Sequence, residues 1–292
     1  MPSWRLQDRV LDLTSPLAVG IVNVTDDSFF EGARSETPER AIADGLALVR
    51  EGFDLLDVGA VAAASRPPVP AEDEAGRLVP VVEALAADAG VPVSADTFQA
   101  AVAERALDAG AAAINDISGA ADPELLALVG ERGCGYVLMH IEGPPRTDRE
   151  PAGQGDPVAR LMRWFEERLE TATDRGVDEE QIVIDPGLDF DLSVAEDLEI
   201  LRRLDELHAL GRPLFVALSR KDFLGAVLAG SWRDRTPARE REWATAAATA
   251  LAVDAGADLV RLHDRSALDA LRTAAAIRGA RLANQRPVGA DG

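Results

Sequence analysis

Polar and charged residues stand where short apolar runs of this 292-residue chain end, and they fall into two chemical groups. The first group offers carboxylates and an amide, from Asp96, Asn115 and Asp185. Such groups suit a neutral heterocycle that presents N–H donors and ring nitrogens. The second group offers cations, which suit phosphate or carboxylate; its members are Arg66, Arg220, Lys221, Arg261 and His263. The two groups predict a hydrogen-bonding slot beside an anion site, for a substrate with a polar ring and an anionic leaving group.

Lys221 is the single lysine of the chain, against 29 arginines. It follows the apolar stretch 213–218, at a point where a strand would end. Arginine is a planar fork with fixed donor directions, whereas lysine is a compact ammonium on a flexible stem. The one lysine therefore indicates a position that accepts only the compact charge, with chance as the alternative.

Short apolar runs alternate with alanine- and leucine-rich stretches of helical spacing along the whole chain. Near-continuous apolar strands between helices indicate a parallel sheet covered on both faces. Eight such units fit a single closed (β/α)₈ barrel of the TIM type. An open doubly wound sheet is the alternative, but its usual glycine fingerprint does not follow the first run, which ends at Asn23. The runs are 17–23, 53–59, 91–96, 112–116, 135–140, 182–187, 213–218 and 258–263, and examples of the helices are 39–52, 74–89, 100–110 and 156–176.

All eight runs finish in hydrogen-bonding or charged residues. In a barrel these ends converge on the C-terminal face, where barrel enzymes place their chemistry. Solvated strand ends are the alternative for any single member, but the complete set predicts an active face. The residues concerned are Asn23, Asp57, Asp96, Asn115 with Asp116, His140, Asp185, the run 219–221, and Arg261 with His263.

The charge and the cysteine content of the chain exclude several kinds of binding partner and site. A formal net charge of −21 and a pI near 4.5 describe a surface that repels nucleic acid and anionic membranes. The one cysteine, Cys134, excludes an intramolecular disulfide and a cysteine-based zinc site, and we expect it to be buried. Without a signal-peptide core or an apolar run near the ~20 residues of a membrane span, we expect a cytoplasmic protein. We predict one domain over residues 1–283 and a flexible tail over 284–292.

Eight motifs in register resemble the dihydropteroate synthase family, and the resemblance runs from about Arg9 to Arg278. Any one of these motifs is weak, but eight in the family's order are specific. They are GIVNVTDDSF at 20–29, SRP at 65–67, VSADT at 93–97, AIND at 113–116, VLMH at 137–140, IDPG at 184–187, SRK at 219–221 and VRLHD at 260–264.

The resemblance implies a folate-pathway transferase on a (β/α)₈ barrel. In its reaction 4-aminobenzoate displaces pyrophosphate from a dihydropterin pyrophosphate, with Mg²⁺ assisting departure, and we expect a homodimer. The implied pterin residues are Asp96, Asn115, Met139, Asp185 and Lys221. The implied pyrophosphate residues are Asn23, Arg66, Arg261 and His263, with Asn23 also near the metal. The implied aminobenzoate residues are Ser219 for its carboxylate, Phe190 against its ring, and Ser65 nearby.

Departures from the family pattern lie mainly in loops and on the aminobenzoate side. They are Asp26 at a usual proline, a longer segment 59–65 without its usual acid, Gln99 at a common basic position, Asp189 and Asp191 at usual glycines, Leu192 at a usual lysine, and Ala217 at a usual glycine. Three functions therefore stay open: an authentic synthase, a diverged paralogue with altered or lost use of 4-aminobenzoate, and a pterin-binding methyl-transfer module serving a corrinoid protein. The intact 219–221 and 261–263 motifs argue against the third, because such a module has no pyrophosphate to hold. A non-catalytic pterin-binding protein is a weaker fourth.

Overall fold

The apolar runs form a parallel sheet that curls into a barrel. A computed structural model describes residues 2–24, 37–61, 69–143, 145 and 154–284, with side chains through residue 279. Within these residues two strands form an N-terminal hairpin, β1 (Ser3–Leu6) and β2 (Arg9–Asp12), and eight form the barrel. The barrel strands are β3 (Leu17–Asn23), β4 (Leu55–Gly59), β5 (Val93–Asp96), β6 (Ala113–Asp116), β7 (Gly135–Met139), β8 (Ile182–Asp185), β9 (Phe215–Ala217) and β10 (Leu259–Leu262).

Neighbouring barrel strands pair in the order β8-β7-β6-β5-β4-β3-β10-β9, and every pair is parallel. The two end strands meet at one parallel bridge between Ile184 and Leu214, where the Ile184 N–H donates to the Pro213 carbonyl at 3.0 Å. The predicted (β/α)₈ barrel is therefore confirmed, and its seam lies between β8 and β9.

Helices cover the outside of the sheet, and their first residues carry clear start signals. Proline occupies the first turn of three helices and a side chain accepts a backbone N–H at their starts, as Asp122 does from Glu124 at 2.9 Å. The described helices are α1 (Pro38–Glu51), α2 (Ala71–Asp88), α3 (Ala100–Asp108), α4 (Pro123–Arg132), α5 (Pro157–Asp174), α6 (Val194–Arg202), α7 (Asp222–Ala229), α8 (Glu242–Asp254) and α9 (Arg265–Asn284).

The N-terminal hairpin closes the bottom of the barrel, a role that the polar, amphipathic sequence 1–14 did not indicate. Trp4 is fully buried, and its indole Nε1 donates to the Gln181 carbonyl at 2.7 Å. Trp4 packs with residues from the N-terminal halves of the barrel strands, such as Val19 and Phe215. Gly135 opens β7 beneath this ring, and a Cβ there would lie 2.8 Å from Trp4. The hairpin therefore leaves the opposite, C-terminal end of the barrel for the site.

Several smaller predictions also have an outcome. Cys134 is buried, as expected. In the described part of the chain no helix is both long and apolar enough to cross a bilayer. Helix α9 runs to Asn284, and the rest of the predicted tail, 285–292, lies outside the described residues.

Candidate active site

Asp57 lies at the centre of the polar cluster inside the C-terminal end of the barrel. Its carboxylate, on the buried strand β4, is fully shielded from solvent. Oδ1 accepts from the Ser94 hydroxyl at 2.6 Å, and Oδ2 accepts from Asn115 Nδ2 at 3.0 Å and from Arg261 Nε at 2.6 Å. Side chains from β5, β6 and β10 thus converge on one buried carboxylate, which fixes the orientation of the predicted pterin residue Asn115.

The Arg261 guanidinium bridges two carboxylates. Besides Asp57, it donates from Nη2 to Asp96 Oδ2 at 3.0 Å. We predicted Asp96 for a pterin slot and Arg261 for an anion site beside it, and the two side chains are in direct contact. This contact joins β5 and β10, which are separated in the sheet by β4 and β3. These bonds use Nε and Nη2 of the guanidinium.

Asp185 ends β8 and is only 4% exposed. Its Oδ1 accepts the Gly187 N–H at 2.9 Å, a bond made within the Asp-Pro-Gly turn. Burial raises the pKa of this carboxyl to about 6, and the charge of Asp57 acts in the same direction, while the positive charges of Lys221 and Arg261 oppose the shift. Asp185 is therefore an anionic acceptor at neutral pH and a protonated acid at pH 5.

Lys221 reaches back toward the barrel axis over an aromatic ring. Its Nζ lies 4.3 Å from the centroid of the Phe190 ring, a cation–π contact. Phe190 packs with Met139 against an apolar cluster that also contains Ile117 and Ile141. Burial lowers the pKa of the ammonium, and the carboxylates of Asp189 and Asp185 oppose this shift. The predicted pterin residues Met139 and Lys221 thus lie beside the predicted aminobenzoate residue Phe190.

His263 does not supply the cation that the sequence predicted. Burial, with the positive charges of Arg220 and Arg261, lowers the pKa of its imidazole to about 3, so the ring is neutral at physiological pH. Its Nδ1 lies 2.8 Å from the Ser219 Oγ, and its backbone N–H donates to the same hydroxyl at 3.3 Å. Ser219 and His263, which were assigned to different substrates, are therefore one hydrogen-bonded pair.

Arg220 and His263 line a cavity of about 390 Å³ at the end of β3, together with Asn23. Arg220 has a left-handed backbone, with φ of 59°, and its guanidinium donates to Asp264 Oδ2 at 3.0 Å. The cavity is also lined by the cations Arg40 and Arg265 and by the carboxylates Asp44, Glu51 and Asp264, so the formal charges of its lining balance.

In the described part of the chain, no three His, Cys, Asp or Glu residues are grouped in a way that could hold a metal ion. Asn23 offers one amide oxygen at the end of β3. A single hard oxygen suits Mg²⁺, which keeps several waters and takes further oxygens from substrate phosphates. The residues present thus fit a magnesium ion that is bound together with its substrate.

Three site features lie outside the described residues: Ser65, Arg66, and the first loop with Asp26. Their roles stay predictions.

Every other predicted site residue lies at the C-terminal barrel end. In particular Asp96, Asp185 and Lys221 share that face, as the fold prediction required.

Two functional-site residues escaped the sequence interpretation. Asp57 was noted only as a strand end, although a carboxylate inside the apolar run 53–59 was a signal for a buried partner. Asp189 was noted only as a departure at a usual glycine. Its carboxylate accepts the N–H groups of Asp222 at 2.5 Å and Phe223 at 3.0 Å, which start α7 directly after Lys221. Asp189 and Asp191 both take the left-handed backbone that glycine adopts without strain, with φ of 74° and 59°.

Comparisons with known proteins agree with this geometry. The family model described as pterin binding enzyme matches residues 19–263. A dihydropteroate synthase of Mycobacterium leprae is 41% identical over 273 residues, which is 91% of this chain and 95% of the relative. Two solved structures of the Xanthomonas albilineans dihydropteroate synthase each cover 98% of this chain and 100% of the solved chain. The one with 4-aminobenzoic acid has a TM-score of 0.84 at 37% identity, and the one in complex with 7,8-dihydropteroate has 0.81 at 34%.

Proposed function

Because the chain belongs to the pterin-binding enzyme family, we infer that it is a dihydropteroate synthase. In this reaction the amino group of 4-aminobenzoate attacks the methylene carbon of a dihydropterin pyrophosphate, the C–O bond breaks, and pyrophosphate leaves. The observation that carries this inference is the polar cluster around Asp57, which brings carboxylates, the Asn115 amide and the Arg261 guanidinium together at one barrel end.

The pterin ring binds in the slot. Ionised Asp185 accepts N–H donors of the ring, and Asn115 meets the same edge in the orientation that its bond to Asp57 imposes. Met139 and Phe190 provide the apolar surface on which a flat ring lies, and the Lys221 ammonium approaches a ring acceptor from its stem. A ring held by donors and acceptors of fixed direction presents its side-chain carbon to only one side of the slot.

The pyrophosphate binds toward the cavity beside β3. Arg261 supplies a guanidinium that is already fixed by two carboxylates, and neutral His263 supplies a hydrogen bond without a second full charge. Arg66 is expected to add a cation from the second loop. Preorganised donors of this kind stabilise charge that develops on the leaving oxygens as the C–O bond breaks.

We also propose Mg²⁺ as the cofactor, held by the Asn23 amide oxygen and by the pyrophosphate itself. When bound, the ion would supply Lewis-acid neutralisation of the leaving group. No covalent nucleophile is needed, since the substrate amine attacks directly. The one cysteine, Cys134, is unsuited to such a role, because it is fully buried and burial raises its pKa to about 12.

4-Aminobenzoate is proposed to enter beside Phe190, with its carboxylate at the 219–220 turn. The Ser219 oxygen lies 2.8 Å from His263 Nδ1 and accepts the His263 backbone N–H. When Nδ1 carries the ring proton, the imidazole also donates to this oxygen, and the hydroxyl hydrogen can turn toward a carboxylate. The left-handed backbone at Asp189 and Asp191 shows that aspartate at these usual glycines still permits a glycine-like turn. That observation favours the authentic synthase over the diverged paralogue.

Pyrophosphate release with and without 4-aminobenzoate tests this function. We expect release from dihydropterin pyrophosphate that depends on 4-aminobenzoate and on Mg²⁺, with dihydropteroate as the product. Asp185→Asn is the control variant that lacks the proposed ring anchor. Tight pterin pyrophosphate binding without stimulated release would instead identify the diverged paralogue, and failure to bind the pyrophosphate form would exclude both.

We propose that the protein is a homodimer. Support comes from an exposed apolar surface on α8 and α9, where Trp243, Leu251 and Ile277 are 83%, 63% and 55% exposed. A patch of this kind on an otherwise acidic surface is typical of an interface. Analytical ultracentrifugation of wild type and Trp243→Glu tests the proposal: a monomeric wild type would contradict it, and a dimer weakened by the substitution would support it.

A further inference from the structure

Asp189 joins two segments that are distant in sequence, the turn after β8 and the start of α7. Lys221 precedes α7 and has an extended backbone, with φ of −59° and ψ of 147°, and no side chain of its own turn caps the helix. The cap comes from 33 residues earlier in the chain: both oxygens of Asp189 accept N–H groups of the first turn, from Asp222 and Phe223. The first-turn N–H groups of a helix need such a partner, and a carboxylate is a favourable one.

Asp189 is itself held in place. Its backbone N–H donates at 2.9 Å to Asp197 Oδ1, a carboxyl on α6 that is fully buried. On the other side of the Lys221 segment, Arg241 donates at 2.7 Å both to the Arg220 carbonyl and to Asp222 Oδ1. The backbone on either side of Lys221 is thus bound from two directions, and Asp189 supplies the contact that lies on the substrate side.

The next residue, Phe190, carries the ring under the Lys221 ammonium at 4.3 Å. Two consecutive residues therefore contact Lys221 or its neighbours. Asp189 binds the helix start that follows the Lys221 backbone, and Phe190 contacts the Lys221 ammonium. The carboxylates of Asp189, Asp185 and Asp197 raise the pKa of Lys221 against burial and the charge of Arg261, which lower it.

We propose that Asp189 is a positioning residue for Lys221: its carboxylate caps the first turn of α7 and fixes the backbone from which the lysine reaches over Phe190 into the pterin slot. This inference rests on the proposed function only in assigning the pterin to Lys221. Its structural half can be tested without any ligand, because Lys221 is the single lysine of the chain.

The first test is NMR of the protein labelled with ¹³C at the lysine side chain, which gives one lysine signal to titrate with pH. In Asp189→Asn we expect the Lys221 pKa to fall further, because a negative charge is removed, and the signal to shift. Asparagine tolerates the left-handed backbone, so the turn should be kept. The matched control is Asp122→Ala, which removes one cap from α4 at a distance from Lys221 and should leave the lysine signal unchanged.

The second test is a double-mutant cycle on the affinity for dihydropterin pyrophosphate, measured by calorimetry. Asp189→Asn should weaken binding about fivefold, the scale of one lost capping interaction. Asp189→Gly, which relaxes the backbone but removes the carboxylate, should weaken binding at least as much. In a Lys221→Ala background, Asp189→Asn should cause no further loss.

An unchanged lysine titration in Asp189→Asn, or an equal loss of affinity with and without Lys221, would overturn the proposal and leave Asp189 as a purely structural cap. A wild-type protein that does not bind dihydropterin pyrophosphate would instead contradict the proposed function, and the lysine titration would still decide the role of Asp189.

Discussion

The ion pair between Asp57 and Arg261 is buried, so we expect its loss to lower the unfolding free energy more than the loss of a surface ion pair would. Asp57 is fully buried and receives three hydrogen bonds, of which Arg261 provides the cationic one. Replacement of Arg261 by methionine keeps an apolar stem but leaves a buried carboxylate without its cation. Breaking a buried pair costs about 3–5 kcal/mol. Because Ser94 and Asn115 still donate to Asp57, we expect the lower end, about 3 kcal/mol of unfolding free energy.

Thermal and urea unfolding of purified variants measure this loss. At about 2–4 °C per kcal/mol, Arg261→Met should lower the Tm by about 6–12 °C. The matched control is Arg272→Met, since Arg272 pairs with Asp54 at 2.7 Å but is 42% exposed. It should cost less than about 1 kcal/mol, as surface pairs do. The double variant Asp57→Asn, Arg261→Met removes both charges of this pair, so its loss of stability should be smaller than the sum of the two single losses.

A Tm of Arg261→Met within about 2 °C of both wild type and Arg272→Met would refute the reasoning. It would mean that the Arg261 guanidinium does not stabilise the buried Asp57 side chain.

Asp185→Asn should weaken pterin binding by about 1.5–3 kcal/mol, the value of a bond to a charged group. Since its pKa of about 6 lies above the ordinary 3.8, wild-type pterin affinity should also fall as the pH drops below 6. Calorimetry at pH 5 and 7.5 checks both, and a pH step of equal size in the variant contradicts the assignment. Lys221→Arg should keep a near wild-type Tm but lose most turnover, because a planar fork replaces a compact ammonium; near wild-type turnover would make the lysine an accident of composition. His263 has a folded-state pKa of about 3 against an ordinary 6.5. Between these two pH values the unfolded chain therefore binds a proton at His263 that the folded chain does not bind. Stability should therefore fall as the pH is lowered from 6.5 toward 3, and less steeply in His263→Asn. Thermal melts across that range test this, and equal slopes in the two proteins would count against a neutral His263.

Local signals were sufficient for the order of elements. The run 17–23 became β3 with the same bounds, and the other runs lost only one to three residues at their ends. The physical reason is that a strand buried on both faces is apolar at most positions, so its composition marks it. Helix bounds were equally close, because proline and capping residues lie next to the first turn that they stabilise.

The sequence did not indicate the hairpin 3–12 or the closure of the barrel by one bridge at Ile184. Trp4 reads as an isolated aromatic residue in a polar segment, and only packing beneath the barrel explains its burial. That packing depends on residues such as Gln181 and Phe215, which lie far along the chain.

Sequence by itself determined the type of fold and the face on which the chemistry lies. Strand composition and the polar residue that ends each strand are properties of single short segments, and the convergence of parallel strand ends follows from topology. The single lysine and the eight motifs are also visible in the sequence alone, and the motifs identified the family.

Only the tertiary structure decided which polar groups contact each other and how they are charged. Arg261 and Asp57 are 204 residues apart, Ser219 and His263 are 44 apart, and the Asp189 cap reaches a helix 33 residues away. Such pairs depend on which strands face each other across the barrel and on how deeply each side chain is buried. Burial and neighbouring charges then move the pKa values of Asp185 and His263 in opposite directions, because desolvation disfavours whichever form is charged.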